Sequence, residues 1–224
     1  MTPAALTTAA TTAAATTDSA GLDEAELLHL AMYAMGNDRH DESMRLLKRT
    51  LQAFPTSAHA HYLLAAEYAQ VGLHDRAVAA MTEAVKLNPA LTVAHFQLGL
   101  LHLTAGRVSA AEAAWLPLDR LAPEDPLRLF KSAMLHLVRD EFAACIEQLR
   151  AGIARNTSNE PLNNDMRRLL ADIEKRQSSG PGTPDANTDG TPAGITPRPL
   201  TIPAPTQHML LSTYDRNRDD TPTA

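Results

Sequence analysis

The sequence is poor in the residues that build several common kinds of site. Only one cysteine, Cys145, occurs among 224 residues, which excludes an internal disulfide and a zinc site built on several cysteines. Aromatic residues make up 4% of the chain, and this favours helices packed through aliphatic side chains over strands. The formal net charge is −6, and no basic cluster indicates nucleic acid or an anionic membrane as a partner.

The usual targeting segments are missing as well. Residues 1–22 are rich in Ala and Thr and contain no Lys or Arg, so they resemble neither the basic start nor the dense apolar stretch of a secretory signal. No early cysteine could carry a lipid anchor, and no run approaches the ~20 apolar residues that cross a bilayer. We expect a disordered leader over 1–22 and a cytoplasmic protein.

A period of 34 residues organises the middle of the chain. Prolines recur at Pro55, Pro89 and Pro123, and glycines at Gly72 and Gly106. The same spacing separates two histidines, His61 and His95, and three aromatic residues, Tyr62, Phe96 and Phe130. A repeat of this length is typical of a helix–turn–helix unit that stacks on its neighbours.

The unit at 58–91 closely resembles the tetratricopeptide-repeat (TPR) consensus. Its matching residues are Leu64, Ala65 and Tyr68 in the first helix, Gly72 in the turn, Ala77, Met81 and Ala84 in the second helix, and Pro89 at the end. The resemblance implies an all-α, right-handed solenoid of helical hairpins that binds other polypeptides. The predicted units are 24–57, 58–91, 92–125 and 126–159.

Some positions depart from the consensus. Asp38 and Ser43 replace the usual Gly and Ala in the first unit, and Thr157 stands where the fourth unit should have Pro. Pro117 falls inside the second helix of the third unit, where it removes a backbone hydrogen bond, so we expect a kink near residues 113–115.

The last part of the chain changes character twice. Asn159-Glu160-Pro161 is typical of a helix start, and apolar residues then recur at helical spacing, which predicts a capping helix over 160–176. From residue 177 to 224, a composition rich in Ser, Gly, Pro, Thr and Asp predicts a disordered tail. Within it, 195–214 is a candidate short binding motif, whose apolar residues include Leu200, Ile202, Met209 and Leu210.

The resemblance implies a concave groove lined by the first helices of the units. At 100° per residue, the second, fifth, ninth and twelfth residues of each unit share one face of those helices. The predicted binding residues on this face are Leu28, Met32, Met35, His59, Tyr62, Phe96, Leu100, Leu103, Phe130, Met134 and Leu137. Only His59 among them is strongly polar, which differs from the Lys, Arg and Asn of TPR co-chaperones that grip acidic chaperone tails.

An apolar groove favours a protein-binding adaptor or chaperone that holds an apolar helix or an extended peptide. The class II chaperones of type III secretion are weakly similar in this respect. The flexible tail is long enough to reach the groove, so it is a candidate plug. One alternative is a subunit that assembles with copies of itself, and a more distant one is a metalloprotein built on the nine histidines.

No catalytic constellation is present. Cys145 stands where the repeat requires a small residue, which indicates a buried hydrophobe and not a nucleophile. No Gly-rich phosphate loop occurs, and no carboxylate shares the face of His95 and His102 to complete a metal site. We expect no enzyme activity, no cofactor and no bound metal.

Overall fold

The computed structural model describes residues 21–178, and every regular element in this range is a helix. The elements are α1 Glu24–Gly36, α2 His40–Ala53, α3 Ala58–Gln70, α4 His74–Leu87, α5 Thr92–Thr104, α6 Val108–Trp115, a 3-10 helix Leu116–Arg120, α7 Pro126–Val138, α8 Phe142–Arg155 and α9 Glu160–Ser178. Most of the predicted leader, and the tail from residue 179, lie outside the described residues.

The eight helices α1 to α8 pack as four hairpins, each made of two consecutive helices. Between hairpins, α2 packs against α3 and α4 against α5, so each second helix also contacts the next first helix. The third hairpin meets α7 through α5 and the 3-10 helix. This arrangement confirms the predicted all-α array of stacked helical hairpins.

The turn inside every hairpin has one residue in the left-handed region. Gly72 and Gly106 have φ of 78° and 71°, and Asp38 and Asp140 occupy the equivalent places with φ of 56° and 57°. Glycine adopts this region without a Cβ clash, and the short polar side chain of Asp tolerates it better than most. Asp38 therefore replaces the expected glycine without changing the turn.

Several hairpins are capped at their first residue by a polar side chain. The Asp23 side chain accepts from the backbone N–H of Glu26, whose own carboxylate accepts from the Asp23 N–H, which makes a complete capping box. Ser57 and Asp125 cap α3 and α7 in the same way through single bonds.

A small residue lies at one position in the middle of each first helix. Ala31, Ala65 and Ala133 are fully buried there, and the third hairpin has Gly99 instead. Trp115 on α6 lies directly on Gly99, because a Cβ at that glycine would be only 1.9 Å from Trp115 Nε1. The indole N–H donates a 2.8 Å hydrogen bond to the carbonyl oxygen of Phe96, so the large ring is both packed and satisfied.

Pro117 ends the α-helix instead of kinking it. The other three second helices have 14 residues, whereas α6 has 8 and the chain continues as the 3-10 helix. Proline has no N–H to donate, and its ring excludes the carbonyl four residues earlier, so the α-helical pattern stops at Trp115. The predicted kink is corrected to a change of helix type.

Two hydrophobic clusters make up the core. The N-terminal core, formed mainly by α1 to α4, consists largely of alanine, leucine and methionine, with Tyr62 as the one aromatic residue among its buried members. The C-terminal core, formed by α5 to α9, contains the three large rings of Phe96, Trp115 and Phe130. Because α9 contributes Met166 and Ile173 to the C-terminal core, this helix closes that end of the array.

A buried cluster of three asparagines fixes α9 to the end of α8. Asn156 Nδ2 donates to Asn163 Oδ1 at 2.9 Å and to the carbonyl oxygen of Asn159 at 3.0 Å. Asn163 Nδ2 returns a 2.6 Å bond to the Asn156 carbonyl, and Asn159 Oδ1 accepts from the N–H of Leu162. These bonds order the connection where Thr157 takes the place of the expected proline.

Candidate functional site

We call the second, fifth, ninth and twelfth residues of the four hairpins the groove face. It comprises Ala25, Leu28, Met32, Met35, His59, Tyr62, Ala66, Ala69, Val93, Phe96, Leu100, Leu103, Leu127, Phe130, Met134 and Leu137. Within the molecule, most of these side chains are buried. Ala25 is exposed, while Met32, His59 and Val93 are half-buried.

Nine of the eleven predicted binding residues are buried. Leu28, Met35 and Tyr62 belong to the N-terminal core, and Phe96, Leu100, Leu103, Phe130, Met134 and Leu137 belong to the C-terminal core. Only Met32 and His59 keep part of their surface exposed. The structure therefore places nine of the predicted binding residues in the two cores of the array, and their role in binding stays a prediction.

Phe96 and Phe130 in particular hold the third and fourth hairpins together. Their ring centroids lie 6.3 Å apart, and Phe96 also stacks on Trp115 at 6.2 Å. Phe130 fills the space above Gly152 on α8, where an added Cβ would be 2.5 Å from the ring. A glycine partner leaves room that an aromatic ring occupies, so these rings pack inward.

The groove face carries no charged side chain at neutral pH. His59 is its only residue with an ordinary pKa near neutrality, and burial lowers the pKa of its imidazole, against a smaller opposing effect of the nearby Glu24 carboxylate. The ring is therefore neutral at pH 7. An apolar, uncharged face matches apolar segments of other polypeptides better than acidic ones.

Two of the repeated histidines have a structural role. His61 Nε2 lies 3.2 Å from the Pro55 carbonyl oxygen, and His95 Nε2 lies 3.2 Å from that of Pro89. Each ring thus ties the start of a first helix to the proline six residues earlier. Among residues 21–178, no group of three His, Cys, Asp or Glu side chains is placed to hold a metal ion.

Cys145 is fully buried on α8. Burial raises the pKa of its thiol to about 11, so the reactive thiolate is not populated near neutral pH. This environment fits the sequence interpretation of Cys145 as a small hydrophobe.

The junctions between hairpins contain polar groups that the sequence analysis did not single out. Glu67 on α3 is fully buried, and its Oε2 lies 3.0 Å from His40 Nδ1 on α2. Lys131 on α7 is buried and donates to Asp119 of the 3-10 helix at 2.6 Å. The repeat register held a signal for both, since polar residues stand where other units bury apolar ones.

The predicted tail residues Leu200, Ile202, Met209 and Leu210 lie outside the described residues, as does the whole of 195–214. Over residues 21–178, none of the helices has the length and hydropathy that a bilayer crossing requires.

Comparison with known proteins gives a family resemblance and a fold. A sequence profile of the tetratricopeptide repeat matches residues 28–91 and 67–126, which cover the first three hairpins almost completely. A search of curated proteins finds no match.

Several solved structures share the architecture. A crystal structure of MamA is 19% identical with a TM-score of 0.51, covering 59% of this chain and 78% of its own. A second crystal structure of the MamA protein is 14% identical with a TM-score of 0.50, covering 90% and 97%. A MamA RS-1 ArsTM double mutant is 16% identical with a TM-score of 0.50, covering 70% and 98%. At these identities the likeness is one of fold.

Arrays of this kind present extended surfaces to other polypeptides and serve as protein–protein interaction scaffolds. The 34-residue register, the four stacked hairpins and the profile match agree, so residues 28–126 are similar to tetratricopeptide repeats and the described part of the chain has the fold of such an array.

Proposed function

We propose that the protein is an adaptor or chaperone that holds an apolar helix or an extended apolar peptide against the groove face. Its role is binding and not catalysis. The partner is a segment of a polypeptide, and neither nucleic acid nor a membrane takes part.

The observation that carries this proposal is the chemistry of the groove face. Fifteen of its sixteen residues are apolar and the sixteenth, His59, is held neutral by burial. Met32, with a flexible and polarizable side chain, adapts to apolar partners of different shapes. The apolar side chains of this face that keep accessible surface are Ala25, Met32 and Val93. A partner therefore recovers only part of the roughly 1.5–3 kcal/mol that a fully exposed large apolar side chain offers, and the expected binding is weak.

The tail of the same chain is a candidate occupant of this face. Residues 195–214 combine a proline-rich stretch with the apolar residues Leu200, Ile202, Met209 and Leu210. A linker of about 20 residues reaches roughly 25 Å as a flexible coil, which is comparable with the length of a 13-residue helix. A tail held on the groove face would compete with outside partners, and its release would regulate binding.

The burial of the nine liners determines which residues make a clean test. A charge at Phe96 or Phe130 would break the C-terminal core, so loss of binding there would report loss of folding. Met32 and Val93 are half-buried on the groove face, and either one accepts a carboxylate with less damage to the core.

The test uses a labelled peptide of residues 195–214 and a chain that ends after residue 178, which retains every described helix. We expect weak binding by fluorescence anisotropy, with a dissociation constant on the order of 100 micromolar, and still weaker binding to the full chain, whose own tail competes. Met32→Glu and Val93→Glu should each weaken binding about tenfold or more.

Leu116→Glu is the matched control, because Leu116 is 65% exposed on the 3-10 helix and lies outside the groove face. It should leave peptide binding unchanged. If the peptide fails to bind and an apolar-surface dye binds both chain lengths equally, the groove face is closed by its own packing and the proposal fails.

A further inference from the structure

A second apolar surface lies on α1, on the side opposite to the core. Glu26, His29, Leu30 and Tyr33 follow helical spacing and form a row that we call the N-terminal stripe. All four are exposed, and for such large apolar residues the values are high: 40% for Leu30 and 61% for Tyr33.

The same four positions are helix–helix interface in the next two hairpins. Their equivalents on α3 are Ala60, Leu63, Leu64 and Glu67, and on α5 they are Ala94, Gln97, Leu98 and Leu101. All eight are buried. They are covered there because α2 packs against α3 and α4 against α5. Among residues 21–178 no helix precedes α1, so the stripe corresponds to an inter-hairpin interface without a partner helix in the part of the chain that the structure describes.

The leader of this chain is a poor substitute for that helix. Among residues 1–20, the only large apolar side chains apart from proline are Met1 and Leu6. By contrast, α2 brings Met44, Leu47 and Leu51 to the N-terminal core. Alanine and threonine side chains bury little apolar area, so this segment would contribute little by covering Leu30 and Tyr33.

The charges beside the stripe are arranged to complement those of an antiparallel copy. Leu30 lies near the middle of α1, and Glu26 lies four residues, about 6 Å, toward the N-terminus. On the other side, the Arg39 guanidinium lies 5.2 Å from the centre of the Tyr33 ring, three residues beyond Leu30. A two-fold axis at Leu30 would bring Glu26 of one copy next to Arg39 of the other.

Both groups keep the capacity for such a pair. Arg39 already bonds Glu42 at 2.7 Å, but a guanidinium has five N–H donors. Glu26 accepts from the Asp23 N–H through Oε2, and a carboxylate accepts several bonds. Antiparallel packing also matches the direction in which α2 and α4 meet α3 and α5, since consecutive helices of the array run in opposite directions.

We infer that the N-terminal stripe is a self-association surface: two copies pack α1 against α1, antiparallel about a two-fold axis at Leu30. Leu30 and Tyr33 become buried, and Glu26 pairs with Arg39 of the second copy on both sides of the axis. Helix α1 has only 13 residues and is about 20 Å long. Two copies packed through it therefore bury less area than the roughly 800 Å² per partner of a standard interface. The dimer is therefore weak, and we expect a dissociation constant on the order of tens of micromolar for so small a contact. This inference does not depend on the groove face.

The experiment is sedimentation of the full chain over a wide concentration range at low salt. The expected result is a reversible monomer–dimer equilibrium. Leu30→Glu and Tyr33→Glu should each raise the dissociation constant at least tenfold, and because both residues are exposed the helicity should stay unchanged. Leu116→Glu, an equally non-conservative change at an exposed residue elsewhere, should leave the equilibrium unaltered.

A charge exchange makes the geometry itself testable. Glu26→Arg alone and Arg39→Glu alone should each weaken the dimer, while the double variant restores it, because the pair forms between copies in either polarity. A full chain that stays monomeric at every concentration overturns the inference. This includes the case in which removal of residues 1–20 produces a dimer, because the leader would then cover the N-terminal stripe in the full chain. A dimer that is indifferent to Leu30→Glu and Tyr33→Glu overturns it as well.

Discussion

The two halves of the array reach their ends by different means. The N-terminal half has an alanine-rich core and ends in α1, whose outer side exposes Leu30 and Tyr33. The C-terminal half is built around three large rings and ends in α9, whose outer side is polar and includes the exposed Arg167 and Asp172. A stack of hairpins needs a polar outer face at each end to remain soluble as a monomer. In the described residues, α9 supplies such a polar face at the C-terminal end. At the N-terminal end, the exposed apolar residues Leu30 and Tyr33 on α1 resemble a helix–helix interface instead.

Among the substitutions that test the difference between the two halves, Gly99→Ala should cause the largest loss of stability. The new Cβ would lie 1.9 Å from Trp115 Nε1, so the indole must move and lose its bond to the Phe96 carbonyl. We expect a loss of about 3 kcal/mol in the free energy of unfolding, measured by urea denaturation. Gly36→Ala in the N-terminal half is the control, since nothing lies within 4 Å of its added Cβ, and it should cost almost nothing.

Adding Trp115→Leu to Gly99→Ala should recover part of the loss, because the other three hairpins pair an alanine with a smaller side chain at these positions. Two independent, additive losses would show that Trp115 is not the residue that Gly99 accommodates.

An intermediate effect should follow from Asn163→Ala at the closed end. The substitution removes the 2.6 Å bond to the Asn156 carbonyl and leaves the buried Asn156 amide without its partner at 2.9 Å. The expected cost is about 2 kcal/mol, with α9 released before the rest of the array, as seen by hydrogen exchange. Asn164→Ala changes the exposed neighbour and should have little effect. Equal protection of α9 in both variants would contradict the role of the asparagine cluster.

The smallest effect concerns pH and the junction of the first two hairpins. Burial raises the pKa of the Glu67 carboxyl, opposed by hydrogen bonds from His40 and Ser43 and by the charge of His40, while Asp38 raises it further. The folded state therefore holds this proton more strongly than the unfolded chain. Stability contributed by the group is present below its unfolded pKa and is lost as pH rises through the folded pKa.

Glu67→Gln removes that titration, so the slope of unfolding free energy between mildly acidic and neutral pH should become less negative than in the parent chain. Urea denaturation at a series of pH values measures it. An identical slope in both chains would mean that Glu67 does not titrate in this range. Glu83→Gln, at a half-buried position on α4 where Lys86 lies nearby, serves as the control.

The architecture could be predicted from the sequence because the same packing positions recur in each repeat. Small residues at Ala31, Ala65, Gly99 and Ala133, and the turn residues after each first helix, are visible as a register without any structure.

What covers the groove face was not readable from the sequence. A helical wheel shows which residues share one side of a helix. Whether Phe96 packs on Trp115 or faces a partner depends on how neighbouring helices are placed, which the wheel does not show. The inward packing of Phe130 depends on Gly152, 22 residues away. The burial of Glu67 could have been inferred from the repeat register, because Leu101 and Leu135 occupy its position in the later units. The open stripe on α1 could have been found, since the first unit of any stack lacks a predecessor.

The position of Trp115 has a practical consequence for following how the molecule comes apart. It is the only tryptophan in the chain and lies fully buried at the centre of the C-terminal core. Its fluorescence therefore reports on that half alone, whereas circular dichroism averages over all the helices. If the alanine-rich half melts first, the dichroic signal will fall while the emission remains that of a shielded indole, and the gap between the two curves will measure how loosely the halves are coupled.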